Sequence, residues 1–235
     1  MPKRIAVDMT KYGYKEPMRF RDFPWPRIQC EDPGESFSIP LKEEYLFRTM
    51  DFLDSAEAKP IFEKQADIII NNNFKTIVDC GCRHGPVLDI LYERGYIDDT
   101  FVYMGYDTSP QPIQLAQETW QEFANIEFRV ASMHNKHDLG VNFPVQCVIW
   151  SGILLYADNH HQLFHDITVD FYGAQHAIIQ EPCGDQDPEK FLPWLQLHTI
   201  DLEIKEYAKH YTKYRDWIVD TDIFQGRRRI CQILI

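Results

Sequence analysis

The chain has 235 residues, of which 44% are hydrophobic and 26% are charged, and its formal net charge is −12. This length can form one large domain, or a domain with a small cap. An acidic chain repels phosphate backbones, so its charge disfavours nucleic acid as a partner. No apolar run approaches the roughly 18 residues that span a bilayer. No apolar stretch follows Lys3 and Arg4 either, so we expect a cytoplasmic protein without a signal peptide or membrane contact.

The six cysteines indicate buried thiols and no metal site. Cys147 and Cys231 lie within apolar runs, as reduced thiols in a cytosolic protein often do. Cys80 and Cys82 flank a glycine, but no second Cys or His pair follows nearby to complete a zinc site. We therefore predict no metal.

Residues 1–58 differ from the rest of the chain in composition. Six prolines among the first forty residues preclude a long helix, and the aromatic residues between them argue against simple disorder. Residues 41–53 have helical spacing of apolar positions. We predict that 1–58 form an arm and helical cap over a substrate site, followed by a second unit over 59–235. Whether the arm is a mobile lid or fixed packing stays open.

From residue 60 onward, apolar runs of strand length alternate with amphipathic helical patterns. The predicted elements are a helix over 60–71, a strand over 76–79, a helix over 86–93, a strand over 101–106, a helix over 110–123, strands over 126–130 and 147–150, a helix over 158–172, and a strand over 177–180. Thr108 or Ser109 would cap the third of these helices. The fourth would begin with Asp158 as its N-cap and stop at Gly173.

The fold class follows from this alternation. Strands that are apolar on both faces and alternate with helices favour a parallel sheet covered by helices on both sides. Residues 202–208 alternate weakly and residues 229–235 are strongly β-like. Because no helix of useful length separates these two segments, we expect them to form an antiparallel tail on the sheet.

The most informative segment is the loop between the first predicted strand and the next helix. Residues 79–86 read DCGCRHGP. Glycine allows a sharp turn and close approach to a ligand, and the helix start offers free N–H groups and a positive dipole end. Such a loop suits a nucleoside or a carboxylate, although a lone Gly81 would equally fit an ordinary turn.

A second polar element ends the next strand. Asp107 follows Gly81 by 26 residues, and an acid there can accept hydrogen bonds from both hydroxyls of a ribose. Taken alone, Asp107 could simply cap the following helix. In this order, the loop and the acid indicate a nucleoside cofactor at the carboxyl edge of the sheet. A dinucleotide site needs G-x-G-x-x-G, and Arg83 and Pro86 occupy its later two positions, which disfavours a nicotinamide oxidoreductase.

Four segments together resemble the class I S-adenosylmethionine-dependent methyltransferase family. Asp79-x-Gly81-x-x-x-Gly85 is similar to its first motif, (D/E)-x-G-x-G-x-G. The remaining three segments are GYDTSP at 105–110, similar to the second motif, VIWSGIL at 148–154, similar to the fourth-strand segment, and IIQEP at 178–182, similar to the fifth strand. The resemblance covers roughly residues 60 to 235.

This resemblance implies a Rossmann-like, doubly wound αβα fold with a seven-stranded sheet, mostly parallel with an antiparallel last strand. It implies S-adenosylmethionine as cofactor, S-adenosylhomocysteine as product, and methyl transfer to an O or N atom. The implied cofactor residues are Asp79, Gly81, Cys82, Arg83 and Gly85 around the methionine part, Asp107 at the ribose, Thr108 beside the adenosine, Ser132 and Met133 along the adenine, and Ser151 at the methyl-transfer edge.

The sequence departs from the family pattern at two of these places. Arg83 replaces the middle glycine, so the loop could turn differently, or Arg83 could pair with the methionine carboxylate. After the third strand, Ala131 and Ser132 stand where an aspartate is common. Adenine recognition could therefore rely on the backbone.

Methyl transfer needs a general base only if the nucleophile arrives protonated, because the sulfonium carbon is already electrophilic. The catalytic candidates are His134, Tyr156 and Glu181 at the expected cleft edge. His137, His160 and His161 are further candidates. The last two would lie in the first turn of a helix, where a solvated surface position is the ordinary interpretation.

The methyl acceptor is expected to be a small molecule. Trp25, Tyr45 and Trp194 could form an aromatic wall, which suits a planar or cationic ligand, although packing would also explain them. A peptide or protein acceptor stays open, as does the oligomeric state. The alternatives are a catalytically inactive cofactor-binding or scaffold protein of the same fold, and an enzyme that uses the cofactor for another reaction, such as aminopropyl transfer.

Overall fold

The computed structural model describes residues 2–6, 59–154, 159–182, 211, 213–220 and 227–235. Several predictions fall outside these residues and stay predictions. They are the helix over 41–53, the strand over 202–208, and the site residues Trp25, Tyr45, Tyr156 and Trp194.

A seven-stranded sheet forms the centre of the described chain. Its strands are β1 (Thr76–Cys80), β2 (Val102–Asp107), β3 (Ile126–Val130), β4 (Cys147–Ser151), β5 (His176–Pro182), β6 (Lys213–Asp220) and β7 (Arg227–Leu234). They are ordered β3-β2-β1-β4-β5-β7-β6 across the sheet. The first five are parallel, and β7 runs antiparallel to both β5 and β6. The predicted mostly parallel sheet with an antiparallel last strand is confirmed.

Helix α1 (Lys59–Asn71) precedes the first strand. Three of the four connections between parallel strands contain a helix, namely α2 (Pro86–Glu93), α3 (Pro110–Trp120) and α4 (His160–His165), which continues as a π-helix over Asp166–Phe171. The connection from β3 to β4 contains a 3-10 turn over Lys136–Asp138. Within the described segments, no helix combines the length and apolarity needed to cross a membrane.

The prediction that Asp158 caps the fourth helix was wrong. The N-cap of α4 is Asn159, whose side chain accepts a hydrogen bond from the Gln162 N–H.

Two apolar cores cover the two faces of the sheet. Ile77 of β1 and Ile149 of β4 belong to the core that includes buried residues of α1, α2 and α3. The adjacent residues Val78 and Trp150 point to the other face, where they pack with Phe164 of α4. Burial on both faces explains why these strands are continuous apolar runs, and it makes the fold a three-layer αβα arrangement.

Strand β6 was missed in the sequence analysis. It carries charged residues at Lys213, Arg215 and Asp216, because an edge strand keeps one flank in water. Its inward residue Trp217 packs against the first core, and Lys64 of α1 places its ammonium 4.3 Å from the centre of that ring. Asp216 also pairs with Arg229 of β7.

The loop after β1 rests on the one glycine of β2. A methyl group at residue 105 would lie 2.6 Å from Cys82 Sγ and 2.7 Å from Phe128 Cδ1. Both distances are shorter than atomic contacts permit, and neither neighbour is a flexible chain end that can swing away. Residue 105 must therefore lack a side chain if the loop is to lie close to the sheet.

We predict that Gly105→Ala lowers the free energy of unfolding by about 1–3 kcal/mol, because the added methyl overpacks a closed core. Urea denaturation measures the change. Gly140→Ala is the matched control, since nothing lies within 4 Å of its added methyl group. The control should stay within about 0.5 kcal/mol of the parent. Equal effects of the two substitutions would contradict this account of Gly105.

Candidate cofactor site

The loop between β1 and α2 passes three times through the left-handed backbone region. Gly81 has a φ of 77°, Arg83 of 53° and Gly85 of 84°. A side chain at residue 81 would collide with Ile153, whose Cγ2 lies 2.4 Å from the position of the missing Cβ. Arg83 adopts a conformation that most side chains avoid, and the loop thus keeps the turn that a middle glycine would allow.

Backbone hydrogen bonds fasten this loop to the end of β2. The N–H groups of Gly81 and Cys82 donate to the Tyr106 carbonyl at 2.8 and 3.0 Å. The next N–H, of Arg83, donates to Asp107 Oδ2 at 3.1 Å. The other oxygen, Asp107 Oδ1, accepts from the Ser109 N–H at 2.9 Å. The half-buried Asp107 carboxylate is thereby held from two sides, and its oxygens keep lone pairs for a ligand.

Asp79 lies beneath the loop and is 3% exposed. Its Oδ2 accepts a hydrogen bond from the Tyr103 hydroxyl at 2.7 Å. Its Oδ1 accepts none from any described residue. Burial raises the pKa of Asp79 from 3.8 to about 7, the Tyr103 hydrogen bond opposes that rise, and the charge of Asp107 adds to it. The geometry suits a cationic ligand group at Oδ1.

A pocket that is partly open to solvent lies between this loop, α1 and the ends of β4 and β5. The structure brings five of the predicted cofactor residues together there. They are Asp79, Gly81, Cys82, Arg83 and Ser151. Gly85 is buried just behind them as the N-cap of α2.

The sequence analysis missed two polar side chains of this pocket. Gln65 of α1 is 1% exposed and donates from Nε2 to Ser151 Oγ at 2.7 Å. Gln180 of β5 is 6% exposed, and its Nε2 has no hydrogen-bond partner among the described residues. A glutamine inside an apolar helix, and another inside an apolar strand, were the only signals in the sequence.

The predicted adenine-side residues lie on the loop after β3. The Ala131 N–H donates to the Asp107 carbonyl at 2.9 Å, which ties this loop to the end of β2. Ser132 is half-buried, whereas Met133 packs into the second core. Thr108, predicted beside the adenosine, is exposed.

Of the predicted catalytic residues, His134 and Glu181 lie within the described chain, and neither lines the pocket. His134 is exposed after β3. Glu181 follows Gln180 in the strand and so points to the opposite face of the sheet, where its Oε1 accepts from the Leu154 N–H at 3.0 Å. His160 is buried and its ring contacts His161 at 4.3 Å between centroids, so the surface interpretation of His160 was wrong.

Comparison with known proteins identifies the fold through solved structures and finds no match by sequence. No protein-family model and no characterised protein matches the sequence. Solved structures do match. The methyltransferase domain of bacterial CtHen1 superposes with a TM-score of 0.57 at 15% identity, over 76% of this chain and 98% of that one.

Two further neighbours were solved with a ligand. Magnesium protoporphyrin IX methyltransferase (ChlM) from Synechocystis PCC 6803, with bound S-adenosylmethionine, matches at a TM-score of 0.55 and 14% identity, over 76% of this chain and 80% of that one. The plantazolicin methyltransferase BamL, in complex with a triazolic desmethylPZN analogue and S-adenosylhomocysteine, matches at a TM-score of 0.58 and 14% identity, over 88% of this chain and 94% of that one. The chain therefore has the class I methyltransferase fold.

Proposed function

We propose that the protein is an S-adenosylmethionine-dependent methyltransferase. One observation carries this proposal, which is that three features meet at the carboxyl edge of β1 and β2. They are the loop with three residues in the left-handed backbone region, the Asp107 carboxylate held by the Arg83 N–H, and Asp79 Oδ1, which has no hydrogen-bond partner among the described residues. Ligands of open α/β sheets bind at this edge. The fold supports the proposal, because ChlM and BamL hold the cofactor or its product.

Each part of the site has a role toward such a cofactor. Asp107 would accept from the ribose hydroxyls, with Thr108, Ser132 and Met133 on the adenosine side. Asp79 would accept from the α-ammonium of the methionine part. Bound there, the cofactor supplies an electrophilic methyl carbon, so the chain's own task is to align the acceptor and exclude water. His134 and Tyr156 stay proposals as proton acceptors, whereas Glu181 points to the opposite face of the sheet, where it binds the Leu154 N–H.

The acceptor is proposed to be an O or N atom of a small molecule. ChlM and BamL, by their names, act on a porphyrin and on plantazolicin. The acidic net charge disfavours a polyanionic acceptor. We propose that residues 1–58 cover this acceptor. The aromatic wall beside it would consist of Trp25, Tyr45 and Trp194. We further propose a cytoplasmic location.

Turnover tests the proposal directly. The protein is incubated with S-adenosylmethionine carrying a labelled methyl group and with a metabolite extract, and both S-adenosylhomocysteine and labelled products are measured. Label transfer to a small molecule supports the proposal. Transfer only to added peptides supports the peptide alternative, and binding without any turnover supports an inactive cofactor-binding protein.

We predict that Asp107→Asn weakens S-adenosylhomocysteine binding about ten- to a hundredfold, because hydrogen bonds to a charged partner contribute about 1.5–3 kcal/mol. Titration calorimetry measures the affinity, and thermal unfolding checks that the variant is folded. Asp99→Asn makes the same chemical change at an exposed position and should bind like the parent. Unchanged affinity in Asp107→Asn would remove Asp107 from the site.

We predict that S-adenosylhomocysteine binds about tenfold more tightly at pH 8 than at pH 6, because the pKa of Asp79 is raised to about 7. Below that value the carboxyl carries a proton, which must leave before the ligand's ammonium can bind. Binding at pH 6 should therefore release a proton, seen as a dependence of the binding heat on the buffer. Asp79→Asn should abolish both effects, and their persistence in that variant would contradict the assignment.

A further inference from the structure

The pocket holds two buried polar atoms of opposite hydrogen-bonding character. Asp79 Oδ1 can only accept while the carboxyl is ionised, and Gln180 Nε2 can only donate. Neither has a hydrogen-bond partner within the described chain, and both residues are more than nine-tenths buried. Because an unsatisfied buried polar atom is costly and both residues line the pocket, each of these atoms is suited to a ligand group of the complementary kind.

The sheet sets the distance between these two atoms. Asp79 faces Ile149 in the β1–β4 register, and Gln180 faces Ser151 in the β4–β5 register. Since β4 lies between their strands, the two strand axes are about 9–10 Å apart. Both side chains point to the same face and line one pocket, so they approach it from opposite sides. A ligand between them needs a cation and an acceptor close together, as an α-amino acid has.

The side of the pocket near β4 and β5 offers further donors without a formal positive charge. Gln65 uses one Nε2 hydrogen toward Ser151 Oγ, and a primary amide has a second. The Ser151 oxygen accepts this bond, so the Ser151 hydroxyl hydrogen can donate to a ligand. Arg83, the alternative partner for a carboxylate, also lines the pocket, and its backbone N–H donates to Asp107.

We propose that Gln180, supported by the Gln65–Ser151 pair, binds the α-carboxylate of the cofactor while Asp79 binds its α-ammonium. The site thereby selects a cofactor that retains its complete amino acid end. This inference rests on the proposed function. It also separates methyl transfer from aminopropyl transfer, because the cofactor of the latter reaction is decarboxylated and offers nothing to Gln180.

The test compares three ligands by titration calorimetry with the full chain. They are S-adenosylhomocysteine, its decarboxylated analogue S-adenosyl-3-thiopropylamine, and 5′-methylthioadenosine, which lacks the amino acid end altogether. The parent protein should bind the first at least about tenfold more tightly than the second. Gln180→Met removes the donor at similar volume, so it should weaken S-adenosylhomocysteine about ten- to a hundredfold and leave the decarboxylated analogue within about threefold.

Two further variants sharpen the result. Gln114→Met makes the same change at an exposed position of α3 and should alter neither affinity. Gln180→Glu places a carboxylate against the ligand's carboxylate, so it should reverse the preference in favour of the decarboxylated analogue. The ratio of two ligands within one variant is insensitive to a general loss of folded protein.

The inference is overturned if the parent does not distinguish the first two ligands, or if Gln180→Met weakens both equally. It is also overturned if Arg83→Met, rather than Gln180→Met, removes the preference for the carboxylate. A parent protein that binds none of the three ligands would instead refute the proposed function itself. Binding of 5′-methylthioadenosine and S-adenosylhomocysteine with equal affinity would refute only the inference.

Discussion

The hydrogen bonds from the loop after β1 to the end of β2 hold the candidate site in one piece. Two consecutive N–H groups converge on the Tyr106 carbonyl, and the next donates to the Asp107 carboxylate. This geometry requires the loop to lie on Gly105, with Phe128 of β3 closing the same contact. The positions of three strands, and not the loop sequence alone, therefore decide where the glycine turn presents its ligand-binding face.

Placing Asp79 beneath this loop costs stability in the unliganded protein. Its folded pKa of about 7 lies above the ordinary value of 3.8, so the folded state holds the proton more tightly than the unfolded chain. Stability consequently falls as pH rises from about 4 to about 7, and the full cost of the buried charge is present above that range. A ligand ammonium would offset this cost. The same burial that weakens the fold at neutral pH strengthens the electrostatic attraction for a cation.

The sequence predicted the parallel part of the sheet and the glycine loop because these depend on local signals. Apolar runs of strand length mark β1, β2, β4 and β5, and a glycine or proline ends or follows β1, β4 and β5. Strand β6 was missed because its charged residues, such as Asp216, reflect an edge position that only the assembled sheet defines. Gln65 and Gln180 were missed for a related reason, since a polar residue in an apolar segment does not reveal which neighbour it meets. Glu181 was placed at the cleft edge, yet one residue of strand alternation directs it to the opposite face.

The proposed function gives one reason why the sequence indicates few catalytic residues. Orientation of two reactants can supply about 7–11 kcal/mol of the barrier reduction, so methyl transfer to an acceptor that arrives deprotonated needs no proton-transfer residue beside the cofactor. In the proposed function, Asp79, Gln180 and the Gln65–Ser151 pair bind the amino acid end of the cofactor, and none of them is assigned to proton transfer. The residues that select the acceptor must then come from other surfaces of the cleft. A motif that identifies the cofactor carries little information about the residues that bind the acceptor, because the motif consists of residues that are expected to contact the cofactor.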